Sequence, residues 1–257
     1  MNERDLGLRR VSSSWYRGFS AVYHKELAAW FGTHRWINQS IIWMALTLTP
    51  ALMVPAATND RGAAVLSLFL WSGSNMMSIG TVILTQGAIV EEKLTQTLLW
   101  IFSKPLSPAG FILGKFAAHA VFIGAIVIGA PSIVIYVYAA IVGLPNSISP
   151  LNYLVGVGMV YLVLLWVLAL TLLLGVLFDK IAAVTGVALA IFFSGSGLRS
   201  TSLRWIEPYT VWALQHNSSE LINGNFPSTA WWAMGSTIVS IALLLTMAML
   251  WLKRSEL

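Results

Sequence analysis

Between Glu91 and Pro108 this sequence gathers its densest set of groups with chemistry to offer. Glu91, Glu92 and Lys93 open the stretch, and Thr95, Gln96 and Thr97 follow. Leu94, Leu98 and Ile101 fall on one side at helical spacing. Pro105 and Pro108 end the pattern, because proline lacks the amide that a helix interior needs. Residues 91–108 are therefore expected to form a short helix with a charged start and an apolar stripe. A helix with exposed Leu and Trp needs a cover. Lipid headgroups, the chain's own N-terminal segment or a second protein would each serve. The chemistry is that of recognition, not of bond making.

Other groups that invite a chemical reading do not assemble into a site. Gly110-Phe111-Ile112-Leu113-Gly114-Lys115-Phe116 has the outline of a phosphate loop. Its glycines are one residue too close, Phe116 stands where magnesium needs a Ser or Thr, and no strand precedes it. The four histidines are far apart, without metal-ligand spacing. His119, one turn beyond Lys115, suits hydrogen bonding near an interface better than ion transport. With no cysteine, disulfides and thiolate metal sites are excluded. No Ser-His-Asp set or carboxylate pair lies within the apolar runs, so neither an enzyme centre nor a proton relay is expected there.

The elements that carry these groups are built for lipid. The chain has 257 residues, 57% hydrophobic and only 10% charged. Its mean hydropathy is +0.76. A soluble surface needs more ionic groups than that. Six apolar runs of helical length stand out: 37–57, 64–90, 116–142, 153–178, 181–197 and 230–252. They are continuous where barrel strands would alternate, so an all-α polytopic membrane protein with six transmembrane helices is expected. Only Asp179 and Lys180 part the fourth run from the fifth, but one straight helix through both would overshoot a bilayer about twofold. Pro131 is expected to kink the third run.

The net charge of +5 does not point to nucleic acid, because of where the charges sit. With the N-terminus inside, all of the 15 Lys and Arg except Arg61, Arg199 and Arg204 fall on the inner side. That bias predicts both termini in the cytoplasm. Before the first run, Trp15, Tyr16, Phe19, Val22, Tyr23, Leu27, Trp30 and Phe31 recur in three- and four-residue steps, with Arg17, His24 and Lys25 off the stripe. Residues 12–35 are thus expected to form an elbow-like helix lying in the inner interface. Packing on a soluble partner is the alternative. Residues 198–229 carry Trp205, Tyr209 and Trp212, which predict short helices at the outer interface. Ser72, Ser74, Asn75, Met76, Met77 and Ser78 form the richest polar patch of any run. They could line a pathway, or simply pack helices through small residues.

The motifs, taken together, resemble the permease subunits of ABC-2-type transporters. The matching residues are Glu91-Glu92, Thr97-Leu98, Pro105-Leu106-Ser107 and Gly114-Lys115. His24-Lys25-Glu26-Leu27 is similar to the Lys-Glu-Leu of the family's elbow helix. Glu207-Pro208-Tyr209 to Gly224 resembles the segment before its last span, so the likeness covers nearly the whole chain. Trp100-Ile101-Phe102 departs from it in being bulkier.

The resemblance implies a single transmembrane domain over 1–257 that dimerises, here as a homodimer, on two separate ABC ATPase subunits. ATP and magnesium would bind those partners, leaving no cofactor in this chain. Residues 91–108 would be the coupling helix, with Glu91, Glu92, Thr97, Leu98 and Pro105 at the ATPase contact. Trp15, Phe19, Lys25, Glu26 and Leu27 would belong to the elbow helix, and Ser74, Asn75, Met76 and Ser78 to the pathway. The implied function is export through the plasma membrane of a bacterium or archaeon. A non-transporting membrane anchor or assembly factor is the alternative from a different class.

Overall fold

A computed structural model describes residues 18–96, 106–143, 150–195, 197 and 205–255. Among the described residues every regular element is helical. The reason lies in the runs themselves: in lipid a lone apolar segment can satisfy its own amides and carbonyls only as a helix. In chain order the helices are α1 (Phe19–Phe31), α2 (Arg35–Leu52), α3 (Arg61–Thr85) and α4 (Gly87–Leu94). They are followed by α5 (Pro108–Phe122), a π-helical stretch (Ile123–Gly129), α6 (Ala130–Gly143), α7 (Pro150–Leu177) and α8 (Ile181–Ser194). Short 3₁₀ turns at Glu207–Tyr209 and Leu221–Asn223 flank α9 (Val211–Glu220), and α10 (Ala230–Ser255) closes the chain.

Four helical stretches are long and apolar enough to cross a membrane: Arg61–Leu94, Pro108–Gly143, Pro150–Leu177 and Ala230–Arg254. At 1.5 Å per residue, the 34 residues of the first reach roughly 50 Å, well beyond a 30 Å hydrocarbon core. The chain thus fits a multi-pass membrane protein. α2 has 18 residues and a polar start in Arg35, Asn38, Gln39 and Ser40, and α8 has 14.

α7 is the hub. Leu164, Val167, Leu168, Leu172, Leu174 and Val176 are all buried, on every side of the helix. An apolar surface all round is what a central helix needs. α10 is the opposite case: Ile238, Val239, Leu243, Met247, Leu250 and Trp251 stay exposed. Apolar exposure of that extent is ordinary toward lipid. Trp43 of α2 lies against Gly80 of α3, where a Cβ would overlap the indole ring.

Several boundaries differ from the sequence expectation, each for a local reason. α2 stops at Leu52 instead of 57, with Pro50 in its last turn. The run expected to end at 90 continues through Glu91 and Glu92 to Leu94. The 91–108 stretch is not one helix. Thr95 caps α4 and Gln96 turns away at φ 55. Pro108 does not end a helix but starts one, because the first helical position needs no amide. Ser107 accepts from the Gly110 amide at 2.9 Å as its N-cap. The third run therefore begins at Pro108, eight residues before the expected 116. Around Pro131 the helix is not simply kinked: the π-helical stretch widens the turn just ahead of the missing amide.

Candidate functional site

At one end of the bundle α1, α4 and α5 converge. Gly114 sets the approach: a Cβ there would sit 2.9 Å from Val22 Cβ and 3.1 Å from the Phe19 carbonyl. With glycine, α1 lies directly on α5. The face of α1 that meets α5 includes Val22, Glu26 and Trp30, one turn apart each. Trp30 stacks on Phe122, centroids 4.0 Å apart, and meets His119 edge-on at 5.9 Å.

This packing drives a cation into the interior. Lys115 is only 2% exposed. Its Nζ donates to Glu26 Oε1 at 2.6 Å and to Glu92 Oε1 at 3.1 Å, and lies 5.1 Å above the Phe111 ring. Lys25 reaches the same Glu92 oxygen at 2.9 Å from the solvent side. Two lysines and two glutamates thus form a knot with balanced charge. His119, one turn after Lys115, bonds through Nδ1 to the Lys115 carbonyl at 2.9 Å. Burial alone would raise the Glu26 pKa, but Lys115 first, then His119 and Lys25, hold it below the ordinary value. Burial likewise works against the Lys25 charge, and Glu92 with Glu26 outweighs it, so its pKa is raised.

Successive helical residues turn by about 100°, so the three charged neighbours at the end of α4 point three ways. Glu92 enters the knot. Lys93 donates to the Val176 carbonyl at 2.6 Å, the Phe178 carbonyl at 3.3 Å and Asp179 at 3.1 Å. It caps the C-terminal end of α7, where a cation meets the negative end of the helix dipole. Glu91 lines a cavity of about 330 Å³ shared with Glu26, Arg35, Gln86 and His119. Beside it Thr185 of α8 donates to the Gln86 side chain. Four elements are therefore fastened to the last turns of α3 and α4.

The knot is a buried ion-pair network. Its buried ammonium donates to two carboxylates, which ties three helices together. Among the described residues no three His, Asp or Glu side chains group as a metal ion requires.

Of the residues singled out by sequence, Glu26, Lys25 and Glu92 meet in the knot and Glu91 lies beside it. Phe19 stacks on Tyr23 at 5.9 Å, and Leu27 is half-buried. Trp15, Thr97, Leu98 and Pro105 lie outside the described residues. Asn75 lines a cavity of about 240 Å³ with Trp71, Trp212 and Gln215. Ser74 and Ser78 are buried with unpaired hydroxyls, Met76 is 40% exposed, and Asn75 bonds to the Trp71 carbonyl at 2.9 Å.

The Lys115 pairing and the Lys93 cap leave no periodic pattern in the sequence. A signal existed for the first: Lys115 is the only Lys, Arg, Asp or Glu between 108 and 143, and a charge at that depth must be paired. No protein-family model matches this chain, and no curated protein matches it.

Proposed function

We propose that this chain is the membrane subunit of an ATP-driven transporter of the ABC-2 type, an exporter that works as a homodimer on two separate ATPase subunits. The observation that carries this reading is the Lys115–Glu26–Glu92 knot together with its position. It joins α1 to the end of α4 and the start of α5, the two helices that flank residues 95–107. A force applied to that connection by a partner would be delivered to three elements at once. A buried, charge-balanced clamp is stiff enough to carry it.

In this reading α1 is the elbow helix at the inner interface, and Glu91 with Leu98 meets the ATPase. α2 and α8 complete six spans. α8 is short, yet it starts beside Gln86 and ends where Trp212 donates to the Phe192 carbonyl at 2.8 Å, at the other end of the bundle. Six passes return the C-terminus to the side of the N-terminus, in agreement with the Lys and Arg bias, which favours a cytoplasmic location for both; the host in this reading is a bacterium or archaeon. ATP and magnesium belong to the partner chains.

Co-purification tests the assignment. Expressed with an ATP-binding subunit encoded in the same gene cluster, the chain retains that subunit through detergent extraction. Failure to retain it, with both chains folded and in the membrane fraction, contradicts the proposal.

A further inference from the structure

At the end of the bundle that holds the knot, Lys25, Glu26, Glu92, Lys93, Lys115 and Asp179 are all in ion pairs. Arg35 and Glu91 are in none among the described residues, although both line the cavity of about 330 Å³ beside the knot. That volume falls in the range of small-molecule sites. Arg35 opens α2 and Glu91 lies in α4, so opposite charges stand on two walls without reaching each other. A Cβ on Gly87, another lining residue, would overlap the Glu91 carboxylate. The carboxylate therefore lies along the cavity wall.

The inner lining adds acceptors. His119 is 3% exposed, and its Nδ1 must donate, because its partner is the Lys115 carbonyl. Nε2 of the neutral ring is then an acceptor, and it has no hydrogen bond among the described residues. One Glu26 oxygen accepts from Lys115, and the other has no hydrogen bond among the described residues. Ile83 also lines the cavity and is 53% exposed, so the cavity opens sideways at the surface of the bundle. Ile83 belongs to the membrane-crossing stretch that starts at Arg61. At 1.5 Å per residue it lies roughly 33 Å along that helix, about one hydrocarbon thickness from its start. The opening thus faces lipid at the level where acyl chains meet headgroups.

The charge pattern restricts what could fill the space. An inorganic anion would satisfy Arg35 and face the carboxylates of Glu91 and Glu26. A bare cation would satisfy the carboxylates and leave Arg35 alone. A zwitterion answers both: a phosphate suits the guanidinium fork, and an ammonium supplies N–H donors to Glu91, Glu26 and His119. A quaternary amine has no N–H and would leave those acceptors unmet. Basic pockets at the ends of membrane helices take anionic lipid heads, but one arginine opposed by carboxylates selects a head without net charge.

We infer that this cavity holds the head of a zwitterionic phospholipid with a primary amine, its phosphate on Arg35, its ammonium among Glu91, Glu26 and His119, and its acyl chains leaving past Ile83. The lipid head would join α2 to α1 and α4 beside the knot. Glu91 has two carboxylate oxygens, so an amine inside and a protein partner outside need not compete for one atom. The site requires a membrane around the chain and does not rest on ATP-driven transport.

The test uses the full chain, delipidated in detergent, without any ATPase. Phosphatidylethanolamine, phosphatidylcholine and phosphatidylglycerol with identical acyl chains are offered in equal amounts, and retained lipid is counted by native mass spectrometry. Glycerophosphoethanolamine is the probe for the head without its chains. The expected result is saturable retention of phosphatidylethanolamine, at least about fivefold above either other lipid. Arg35→Gln and Glu91→Gln should each weaken it at least about tenfold. Both side chains are exposed, so both variants should fold, and their unfolding temperatures are recorded beside the binding data. Equal retention of the three lipids, or preference for phosphatidylglycerol, overturns the inference. So does retention that either variant leaves unchanged, or displacement of the lipid by an equal concentration of glycerophosphoethanolamine, which would make the ligand a soluble amine. Because no ATPase enters the assay, failure here leaves the transporter reading in place, and failure of co-purification leaves this site in place.

Discussion

Replacing Lys115 by methionine tests the knot most sharply. Methionine keeps most of the length and apolar bulk of lysine, so packing against Phe111 is largely preserved. The charge is lost. Glu92 retains Lys25 at 2.9 Å, but Glu26 loses its 2.6 Å partner, and Lys25 is bonded to Glu92 instead. Stripping one member from a buried pair costs about 3–5 kcal/mol. Because one carboxylate keeps a partner, the low end, about 3 kcal/mol, applies here. For a chain of this size that is a fall of roughly 6–12 °C in unfolding temperature. The assay is thermal unfolding in detergent at one fixed scan rate. Adding Glu26→Gln removes the stranded charge and should recover at least about half of the loss, with a coupling of about 1–3 kcal/mol in the double-mutant cycle. If Lys115→Met melts with the wild type, or if Glu26→Gln gives no rescue, the argument from a buried clamp is wrong.

Three further outcomes follow from the same end of the bundle. Lys93→Ala uncaps the Val176 and Phe178 carbonyls and should cost about 1–2 kcal/mol, with faster amide exchange across 177–181 in hydrogen-exchange mass spectrometry. Gly114→Val drives a side chain into Val22 and the Phe19 carbonyl; about 1–3 kcal/mol should be lost, and limited proteolysis should release α1 first. The folded-state pKa of Glu26 lies below its ordinary 4.5, so its contribution is complete above about pH 4.5 and is lost as pH falls through the lower folded value. Acid titration of the unfolding temperature should therefore drop less steeply in Glu26→Gln than in the wild type.

Much of the architecture was legible in the apolar runs, because a continuous run in lipid has one backbone solution. The ends of the helices were less so. Pro108 reads as a terminator in a one-dimensional pattern and proves to be an initiator, since only the position of Ser107 before it distinguishes the two roles. Glu91 and Glu92 looked like the start of a new helix because charge usually marks a boundary. They extend α4 instead, where Glu92 is neutralised by lysines 23 and 67 residues away in sequence. Pairing over that distance leaves no periodic trace. The chemistry of α1 was also only half visible. Its aromatic stripe is there, but the face it presents to α5 includes Glu26, which a hydrophobic pattern counts as outward. Gly114-Lys115 stands out as a motif, but its physical meaning, close approach followed by a buried cation, depends on the neighbouring helix.

The central claim is that a separate ATPase grips the connection between α4 and α5. Because the native chain has no cysteine, a single one can be placed at will. Leu98→Cys in the full chain, co-expressed with the ATP-binding subunit and treated with a short thiol crosslinker, should give a covalent adduct of the two chains. Ser219→Cys in α9, at the opposite end of the bundle, should give none. An adduct from position 219, or no adduct from position 98 while the subunits remain together, would contradict the account.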